Sequence, residues 1–472
     1  MGDPKAFLTI HRLEAGYRPV DDRINDYSEV EQTLNRSDRR TQASRCMDCG
    51  VPFCHWACPV GNRQPEWQEL LYRGRISEAY RILEQTCDFP EFTGRICPAL
   101  CEKSCVLKLS ADEPVTIREN EAAIAETAFR EGLVHPVQPH RNGRKVAVVG
   151  SGPAGLAAAN RLNRLGYAVT VFEKDELPGG LLRFGIPNFK LSKKIVARRI
   201  ALMEEEGIVF RTGTAIGRDV PAAELTREYD AVCLAIGAEV PRDLPVEGRE
   251  LQGVYFAMEL LGMQNRLLQG IAPKAPINAK GKKVLVIGGG DTGSDCVGTC
   301  VRHGAESVTQ IEIMPAPPEG YNPKTPWPMY PQVLKTSSSH EEGCTRRWSL
   351  ATNRFVGQDG RLTGVEVEEV SWSDPADGSR PAMSKTGKKE VIEADLVFLA
   401  MGFVCPEQDG PVAELGLEVD ARRNIAVRGN FTGKENVFAC GDAVTGASLV
   451  VRAMASGQQA ANEIDNFLKN NK

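Results

Sequence analysis

The stretch Lys145–Lys174, KVAVVGSGPAGLAAANRLNRLGYAVTVFEK, decides the fold of this chain. Its apolar run Val146–Val149 predicts a strand buried on both faces, and an Ala- and Leu-rich helix follows it. A second predicted strand, Ala168–Phe172, ends at the acidic residue Glu173. Glu173 comes 18 residues after Gly155, where a carboxylate can accept hydrogen bonds from a ribose. Together these features predict a Rossmann-like unit that binds an adenine dinucleotide.

Three glycines in GxGxxG register, Gly150, Gly152 and Gly155, give the predicted unit its binding turn. Gly150 permits the tight turn, Gly152 lets the backbone approach a pyrophosphate, and Gly155 lets the helix sit close to the strand. Pro153 and Ala154 lie between them, in the first turn of the predicted helix. The N-terminus of that helix offers free N–H groups to phosphates.

Length and composition restrict the class of protein. With 472 residues the chain is long enough for two to four domains. A net charge of −5 gives no electrostatic reason to expect nucleic acid as a partner. The sequence has no apolar run of about 18 residues and no signal peptide, so we expect a cytoplasmic protein without a membrane partner. In that compartment the 14 cysteines favour metal ligation over disulfides.

Seven cysteines within residues 1–143 fall into two tight groups. They are Cys46, Cys49, Cys54 and Cys58 in CMDCGVPFCHWACPVG, and Cys97, Cys101 and Cys105 in CPALCEKSC. Short loops of this kind let thiolates converge on an iron–sulfur cluster. Structural zinc is the alternative, although seven cysteines suit a four-ligand site poorly. Seven thiolates are one short of two complete [4Fe–4S] sites, so we expect an oxygen ligand to complete the set. Cys87 stands apart and is expected to be a buried or free thiol.

Helical periodicity dominates the remainder of residues 1–143. Pro65–Gln85 predicts a helical hairpin broken at Gly74, and Glu119–Glu131 predicts a further amphipathic helix. We therefore expect a small α-helical cluster-binding domain. His135–Gly143 is rich in turn-forming residues and is the predicted linker to the following domain.

A second glycine-rich unit begins at Lys282 with KKVLVIGGGDTGSDCVGTCVRHGAESVTQIEI. It repeats the GxGxxG register, and its predicted nucleotide-binding residues are Gly288, Gly290, Asp291, Thr292, Gly293 and Glu312. The acid comes 19 residues after the last glycine. Two complete units favour two bound dinucleotides. Cys296 and Cys300, four residues apart on the same helix, are interpreted as small buried residues, not as a redox disulfide.

Three other stretches leave alternatives open. Leu177–Leu191 contains Gly180 and Leu181, which could bring backbone and apolar side chains to a flat cofactor ring or belong to an ordinary loop. Met314–Arg347 predicts a long surface excursion, and strands are predicted on either side of a turn at Asp374–Gly387. Val437–Ala461 predicts a strand, the turn Gly441–Asp442 and a helix beginning near Ser448. Asp442 could bond a ribityl hydroxyl or act as a simple turn residue.

The motifs CxxCxxxxCxxxCP, TGRICPALCEKSC, GxGPAG, RFGIPNFKL, GGGDTGSDC and CGDA together resemble the small (β) subunits of bacterial glutamate synthases, over roughly residues 40–470. Related electron-input modules occur in dihydropyrimidine dehydrogenase and in NADH-dependent ferredoxin:NADP oxidoreductases, which remain alternatives. The excursion TPWPMYPQVLKTSSSHEEG is similar to the glutamate synthase branch. A zinc-bearing dinucleotide sensor is the non-enzymatic alternative.

The resemblance implies an α/β fold in which two Rossmann-like domains follow an α-helical iron–sulfur domain. It implies FAD in residues 144–245 with 403–472, NADPH (or NADH) in residues 246–402, and two [4Fe–4S] clusters in residues 1–143. It assigns Cys46, Cys49, Cys54 and Cys105 to one cluster, and Cys58, Cys97, Cys101 and Glu121 to the other. It implies no catalytic side chain, because hydride and electron transfer belong to the cofactors.

The expected partner, in a hetero-oligomer, is a large (α) subunit that carries FMN and makes L-glutamate from L-glutamine and 2-oxoglutarate. This sequence begins Met1-Gly2-Asp3, without the N-terminal cysteine nucleophile of the family's glutaminase, so we expect it not to make glutamate alone.

Glu312 differs from the residue expected in an NADPH site, because its carboxylate favours a free 2′-hydroxyl, as in NADH, and repels a 2′-phosphate. A nearby cation would be needed to offset this repulsion. The candidate cations are Arg302, Lys324, Arg346 and Arg347.

Overall fold

The computed structural model describes residues 2–373 and 381–470. The helices that precede the first strand are α1 (Ala6–Thr9), α2 (Val20–Arg23), α3 (Arg36–Ser44), α4 (Phe53–Ala57), α5 (Gln64–Tyr72), α6 (Ile76–Leu83), α7 (Pro90–Ile96), α8 (Leu100–Lys103), α9 (Leu107–Ala111) and α10 (Ile117–Arg130). The later helices are α11 (Pro153–Arg164), α12 (Leu181–Phe184), α13 (Lys193–Glu205), α14 (Ala222–Glu228), α15 (Ala257–Leu268), α16 (Asp291–Arg302), α17 (Ser338–Glu341), α18 (Pro411–Glu414), α19 (Asp442–Thr445) and α20 (Val450–Asn470).

The strands all follow residue 144. They are β1 (Lys145–Val149), β2 (Ala168–Phe172), β3 (Val209–Arg211), β4 (Ala231–Leu234), β5 (Val254–Phe256), β6 (Lys283–Ile287), β7 (Ser307–Glu312), β8 (Thr345–Trp348), β9 (Leu350–Gln358), β10 (Arg361–Trp372), β11 (Met383–Glu393), β12 (Leu396–Leu399) and β13 (Val437–Ala439). No helix in the described part of the chain is long and apolar enough to cross a membrane.

The N-terminal part is α-helical, as the sequence predicts. The hairpin expected around Gly74 forms as α5 and α6, and the helix expected at residues 119–131 forms as α10. Helix α7 lies against α10 so closely that a Cβ at Gly94 would stand 2.6 Å from the Ala122 nitrogen. Trp67 and Phe92 are fully buried in this part, and they belong to one apolar cluster that continues into the first sheet through Val146 and Val171.

The first sheet contains the stretch that decides the fold. Its strand order is β13-β4-β1-β2-β3, and all of its pairings are parallel. Helix α11 connects β1 to β2, and a Cβ at Gly155 would overlap the carbonyl oxygen of Gly150. Only glycine lets the helix approach the strand this closely. Strand β13 comes from the far end of the chain and completes the sheet beside β4.

The second sheet repeats this plan in the order β5-β12-β6-β7-β8, again with parallel pairings. Helix α16 connects β6 to β7, as the second glycine motif predicts. Cys296 and Cys300 on α16 are fully buried, which agrees with their interpretation as core residues. Both sheets are of the parallel, helix-covered kind expected for Rossmann-like folds, so the predicted fold class is confirmed.

Two sequence expectations about residues 314–393 need correction. The segment predicted as surface excursion, Met314–Arg347, ends in β8, which pairs with β7 and extends the second sheet. Of the predicted turn Asp374–Gly387, residues 374–380 lie outside the described residues, and residues 383–387 belong to β11. Strands β9, β10 and β11 form a separate antiparallel sheet. Val365 and Val367 of β10 pack in one apolar cluster with Leu285 of the second sheet.

Buried ion pairs tie the α-helical part to the two nucleotide-binding parts. Arg199 on α13 donates to Glu91 on α7 through two nitrogens, Nε at 2.5 Å and Nη2 at 3.0 Å, and both side chains are buried. Arg302 on α16 pairs with Glu342 at 2.5 Å, and Arg23 near the N-terminus donates to the same carboxylate at 2.8 Å. The N-terminal segment is thus attached to both sheets.

We predict that Glu91→Ala lowers the free energy of unfolding by about 3–5 kcal/mol, because it leaves the buried Arg199 charge unpaired. Urea unfolding followed by circular dichroism measures the loss. Glu369→Ala removes the partner of Lys388 in an exposed pair and is the matched control, expected to leave the midpoint unchanged. Equal midpoints for Glu91→Ala and the unmodified chain would refute the prediction.

Candidate functional site

A large cavity with a volume of about 510 Å³ lies at the carboxyl ends of β1 and β2. This size is typical of a small-molecule site. The predicted residues Gly150, Gly152, Pro153, Ala154, Glu173, Gly180, Leu181 and Asp442 all line it. Gly155 and Gly441 do not line the cavity but pack directly behind residues that do. A Cβ at Gly441 would stand 2.6 Å from the Ala154 side chain.

Glu173 is held at the cavity wall by hydrogen bonds from the glycine turn. Its carboxylate accepts from the Ser151 nitrogen at 3.0 Å, from the Ser151 hydroxyl, and from the Asp175 nitrogen at 2.9 Å. Burial raises the pKa of Glu173, and these donors oppose that shift. The arrangement fixes the carboxylate at the end of β2, where a ribose of a bound dinucleotide would reach it.

The Gly180–Leu181 segment and Asp442 also line the cavity, beside the glycine turn. Gly180 has a φ of 50°, and a Cβ there would stand 2.9 Å from the Gly152 Cα, so the two turns are in backbone contact. Asp442 accepts a hydrogen bond from the Ser448 hydroxyl at 2.7 Å. Burial raises the pKa of Asp442. Of the two interpretations of residues 177–191, the structure therefore favours a segment that lines a cavity over an ordinary loop.

Sequence reasoning missed several residues of this cavity. Ser151 links the two walls, because its hydroxyl accepts from the Gly179 nitrogen at 2.8 Å and also contacts Glu173. Lys174 and Glu239 form an ion pair at the rim. The position of Ser151 within the GxGxxG motif could have indicated that it lies at the binding site. Glu239 follows β4 and belongs to no motif that would have indicated it.

The second glycine turn carries the predicted nucleotide-binding residues on an open face. Gly288 has a φ of 122°, and Gly290 caps the N-terminus of α16, whose first residues are Asp291 and Thr292. Glu312 accepts a hydrogen bond from the Gly289 nitrogen at 2.6 Å. Gly293 lies behind the turn, where a Cβ would overlap the carbonyl oxygen of Gly288.

A buried ion pair, which the sequence did not indicate, lies between the two nucleotide-binding parts. Lys190, from the loop after α12, contacts Asp295 on α16 at 2.5 Å. The same ammonium group lies 3.4 Å from the Ser294 hydroxyl. Residues of the α12 segment line the large cavity and α16 begins at the second glycine turn, so this pair joins a segment next to one site to the helix next to the other.

The structure places the cysteines of residues 1–143 around two small cavities. The first is lined by Cys46, Cys49, Cys54 and Cys105. The second is lined by Cys58, Cys97, Cys101 and Glu121, and also by Cys87. Each set combines residues from both sequence groups, in the interleaved arrangement that the resemblance implies.

The donor set suits an iron–sulfur cluster. Burial raises the pKa of Cys46 and of Cys97 to about 12, so these thiols keep their protons unless a cation enters. Thiolate donors around a cavity are the ligands that iron–sulfur clusters use. In residues 2–373 and 381–470, no three His, Cys, Asp or Glu side chains form a group that could hold a single metal ion.

Two protein-family models match the chain. Residues 23–133 match the family described as dihydropyrimidine dehydrogenase domain II, 4Fe-4S cluster. Residues 144–329 and 354–457 match the pyridine nucleotide-disulphide oxidoreductase family. The two matches divide the chain where the first strand begins.

Curated relatives match nearly the whole chain. The glutamate synthase [NADPH] small chain of Mycobacterium tuberculosis (strain CDC 1551 / Oshkosh) is 48% identical over 99% of this chain and 96% of that relative. The glutamate synthase [NADPH] small chain of Bacillus subtilis (strain 168) is 41% identical over 99% of both. The glutamate synthase [NADH] of Schizosaccharomyces pombe is 43% identical over 98% of this chain, which corresponds to 22% of that protein.

Among solved structures, FprA of Mycobacterium tuberculosis (His57Gln mutant) aligns with a TM-score of 0.57 and 19% identity. The alignment covers 71% of this chain and 85% of FprA. At this identity the likeness concerns the fold alone.

Fold, cavities and family models together define a pyridine nucleotide-dependent flavin oxidoreductase with an iron–sulfur domain. Within that class, the chain belongs to the family of glutamate synthase small chains.

We predict that Glu173→Gln weakens FAD binding roughly 10-fold, because a neutral amide accepts hydrogen bonds from a ribose less strongly than a carboxylate does. Flavin fluorescence during equilibrium dialysis measures the dissociation constant. Glu176→Gln, three residues away and half-exposed, is the matched control and should leave FAD affinity unchanged. An unchanged affinity for Glu173→Gln would show that this carboxylate does not bind the cofactor.

Proposed function

We propose that this chain is the electron-input subunit of a glutamate synthase: it oxidises NADPH at FAD and passes electrons through two [4Fe–4S] clusters to a large subunit. The family of glutamate synthase small chains supports the proposal as a whole. The large subunit, which would carry FMN in a hetero-oligomer in the cytoplasm, would make L-glutamate from L-glutamine and 2-oxoglutarate.

One observation carries this proposal: the large cavity and the second cysteine cavity meet at the start of α20. Val450 lines the large cavity and Val451, its neighbour in sequence, lines the second cysteine cavity. A cofactor in the first cavity and a cluster in the second would thus be separated by about one residue of helix. Such proximity is what an electron path between them requires.

The residues named from the sequence divide among the cofactors as follows. The FAD site consists of Gly150, Gly152, Pro153, Ala154, Gly155, Glu173, Gly180, Leu181, Gly441 and Asp442, and the NADPH site of Gly288, Gly290, Asp291, Thr292, Gly293 and Glu312. Cys46, Cys49, Cys54 and Cys105 bind one cluster, and Cys58, Cys97 and Cys101 bind the other. Glu121, which lines the same cavity, is the proposed fourth ligand of the latter.

The same reasoning favours the division into domains expected from the sequence. Among the described residues, helices are the named elements before residue 144, residues 144–245 with those from 403 onward supply the first sheet, and those between 246 and 402 supply the second. We propose these as the iron–sulfur, FAD-binding and NADPH-binding domains.

The protein's own contribution to the reaction is to bind, orient and shield. When bound, the flavin and iron–sulfur groups supply the chemistry that converts an electron pair from the nicotinamide into single electrons. The backbone of the two glycine turns and the N-termini of α11 and α16 would hold the phosphates of the bound cofactors. The Lys190–Asp295 pair holds the α12 loop against α16, beside the two nucleotide sites. No acid or base side chain is needed.

We propose that the large subunit covers the outer face of the first cysteine cavity. Val51 and Trp56, in the loop and helix that carry Cys49 and Cys54, are 73% and 68% exposed. Large apolar side chains exposed beside a redox site mark a protein interface. Trp327, from the excursion after β7, packs on Phe53 of this face with ring centroids 4.6 Å apart.

NADPH is the proposed reductant, and NADH is the alternative. The bacterial relatives named above are called [NADPH], whereas the fission yeast relative is called [NADH]. Of the four cations considered, Arg302 and Arg347 pair with Glu342 and Glu390. Arg346 is better placed for a 2′-phosphate, because it faces Gln310, two residues before Glu312, on the adjacent strand.

The function is tested on the chain purified without oxygen. We expect FAD, about eight iron and eight acid-labile sulfide per chain, and NADPH-dependent reduction of ferricyanide. Glutamate should form from glutamine and 2-oxoglutarate only after the large subunit is added. Stoichiometric zinc in place of iron, or glutaminase activity in the isolated chain, would contradict the proposal.

We predict that Glu312→Ser raises the ratio of kcat/KM for NADPH to kcat/KM for NADH by roughly 10- to 100-fold, since it removes an anionic hydrogen-bond acceptor. Steady-state ferricyanide reduction with each coenzyme measures the ratio. Arg346→Met is the opposing variant and should lower the ratio. If Glu312→Ser left the ratio unchanged, Glu312 would not contact the coenzyme ribose.

A further inference from the structure

Gln310 is a buried amide side chain that packs against the second glycine turn. It lies on β7, is 2% exposed, and its Nε2 donates to the Gly288 carbonyl oxygen at 2.8 Å. The packing is close, because a Cβ at Gly293 would stand 2.5 Å from the same nitrogen. The amide therefore holds one of the backbone groups that give this turn its shape.

His340, on α17 of the long segment after β7, holds the other end of this amide. Its Nε2 lies 2.8 Å from Gln310 Oε1, and its Nδ1 lies 3.1 Å from the Ser337 backbone nitrogen. The imidazole thus stands between the start of α17 and the amide that supports the glycine turn. A segment that the sequence places outside both glycine motifs reaches the second one in this way.

Backbone groups at both ends of this chain of hydrogen bonds fix its direction. The Ser337 N–H can only donate, so His340 Nδ1 accepts and the ring proton lies on Nε2. The Gly288 carbonyl can only accept, so the Gln310 amide turns its nitrogen to the carbonyl and its oxygen to His340. Burial lowers the pKa of His340 to about 4, so the ring stays neutral at neutral pH and keeps these roles.

Helix α17 also has contacts that do not involve His340. The Ser337 hydroxyl lies 2.6 Å from the Ser294 hydroxyl on α16. A Cβ at Gly298 on α16 would overlap the Ser339 hydroxyl, so the two helices are in close contact there. These contacts seat α17 against α16, and the bond from His340 to Gln310 acts on the amide.

We propose that His340 is a positioning residue for the nicotinamide coenzyme: it orients the Gln310 amide, which fixes the second glycine turn for the coenzyme pyrophosphate. The inference rests on the proposed function, because it requires a coenzyme at residues 288–293. Without His340 the buried amide loses a partner and its fixed orientation, which weakens its hold on the Gly288 carbonyl. NADPH and NADH share the pyrophosphate, so the affinity for both should fall alike.

The experiment compares His340→Asn with His340→Gln. The shorter Asn amide replaces the Nδ1 end of the ring near Ser337, whereas the longer Gln amide reaches the Nε2 position near Gln310. We expect His340→Asn to raise the dissociation constant of NADP⁺ and the KM for NADPH about 5- to 10-fold. His340→Gln should restore most of this affinity. Isothermal titration calorimetry measures the dissociation constant, and ferricyanide reduction measures KM and kcat.

Three further measurements separate positioning from loss of the fold. FAD content and Tm should match those of the unmodified chain. The kcat of His340→Asn should be nearly unchanged, because the lost interaction supports ground state and transition state alike. The ratio of kcat/KM for NADPH to kcat/KM for NADH should also stay constant, unlike the ratio expected for Glu312→Ser.

The reverse order, with normal affinity in His340→Asn and weakened affinity in His340→Gln, would overturn the inference and leave His340 as a cap of α17. If His340→Asn does not fold, Gln310→Met decides, since it removes the same amide at nearly equal volume. A raised dissociation constant for NADP⁺ supports the inference, and an unchanged one overturns it. Failure of the unmodified chain to bind NADP⁺ or NAD⁺ would instead refute the proposed function.

Discussion

The backbone of α11 touches the backbone of α20 at Gly457, where a Cβ would overlap the carbonyl oxygen of Ala154. Ala154 belongs to the glycine turn, so this contact presses the last helix of the chain against the phosphate-binding end of the first sheet. The start of α20 also separates the large cavity from the second cysteine cavity. Because residue 457 is a glycine, α20 can lie directly on α11, and the start of α20 is held between the two proposed redox sites.

Buried ion pairs also fix the position of one part against another. Arg199 with Glu91, and Arg23 with Glu342, are buried pairs that join the α-helical part to the nucleotide-binding parts. Such pairs contribute little net stability compared with apolar packing, but any displaced arrangement would leave a charge buried and unpaired. They therefore favour one relative position of the α-helical part and the two sheets.

The sequence predicts those features that depend on neighbours in the chain. The glycine turns, the helices that follow them and the acids that close them were found because the entire motif is local. Gly180 and Leu181 were left open, because an irregular loop has no periodicity that reveals what it faces. Thr345–Trp348 was missed as a strand, because its pairing partner β7 precedes a long Pro-rich segment.

Contacts between distant residues could not be derived in this way. The Lys190–Asp295 pair joins a loop and a helix that carry separate motifs, and neither residue is unusual in its own segment. Cys87 was expected to be a buried or free thiol, because it stands apart from both cysteine groups in the sequence, and it is 1% exposed. Its position became evident only when the fold of α7 brought it to the cavity.

The pairing of β13 with β4 has a consequence for biosynthesis. The two strands are joined by parallel register, with Phe438 opposite Cys233, yet the whole second sheet is translated between them. Contacts so distant along the chain form late and slowly. During translation the second sheet could therefore fold before the first sheet, which lacks β13 until the C-terminal segment has been made. Until then the edge of β4 would be unpaired and exposed to chaperones.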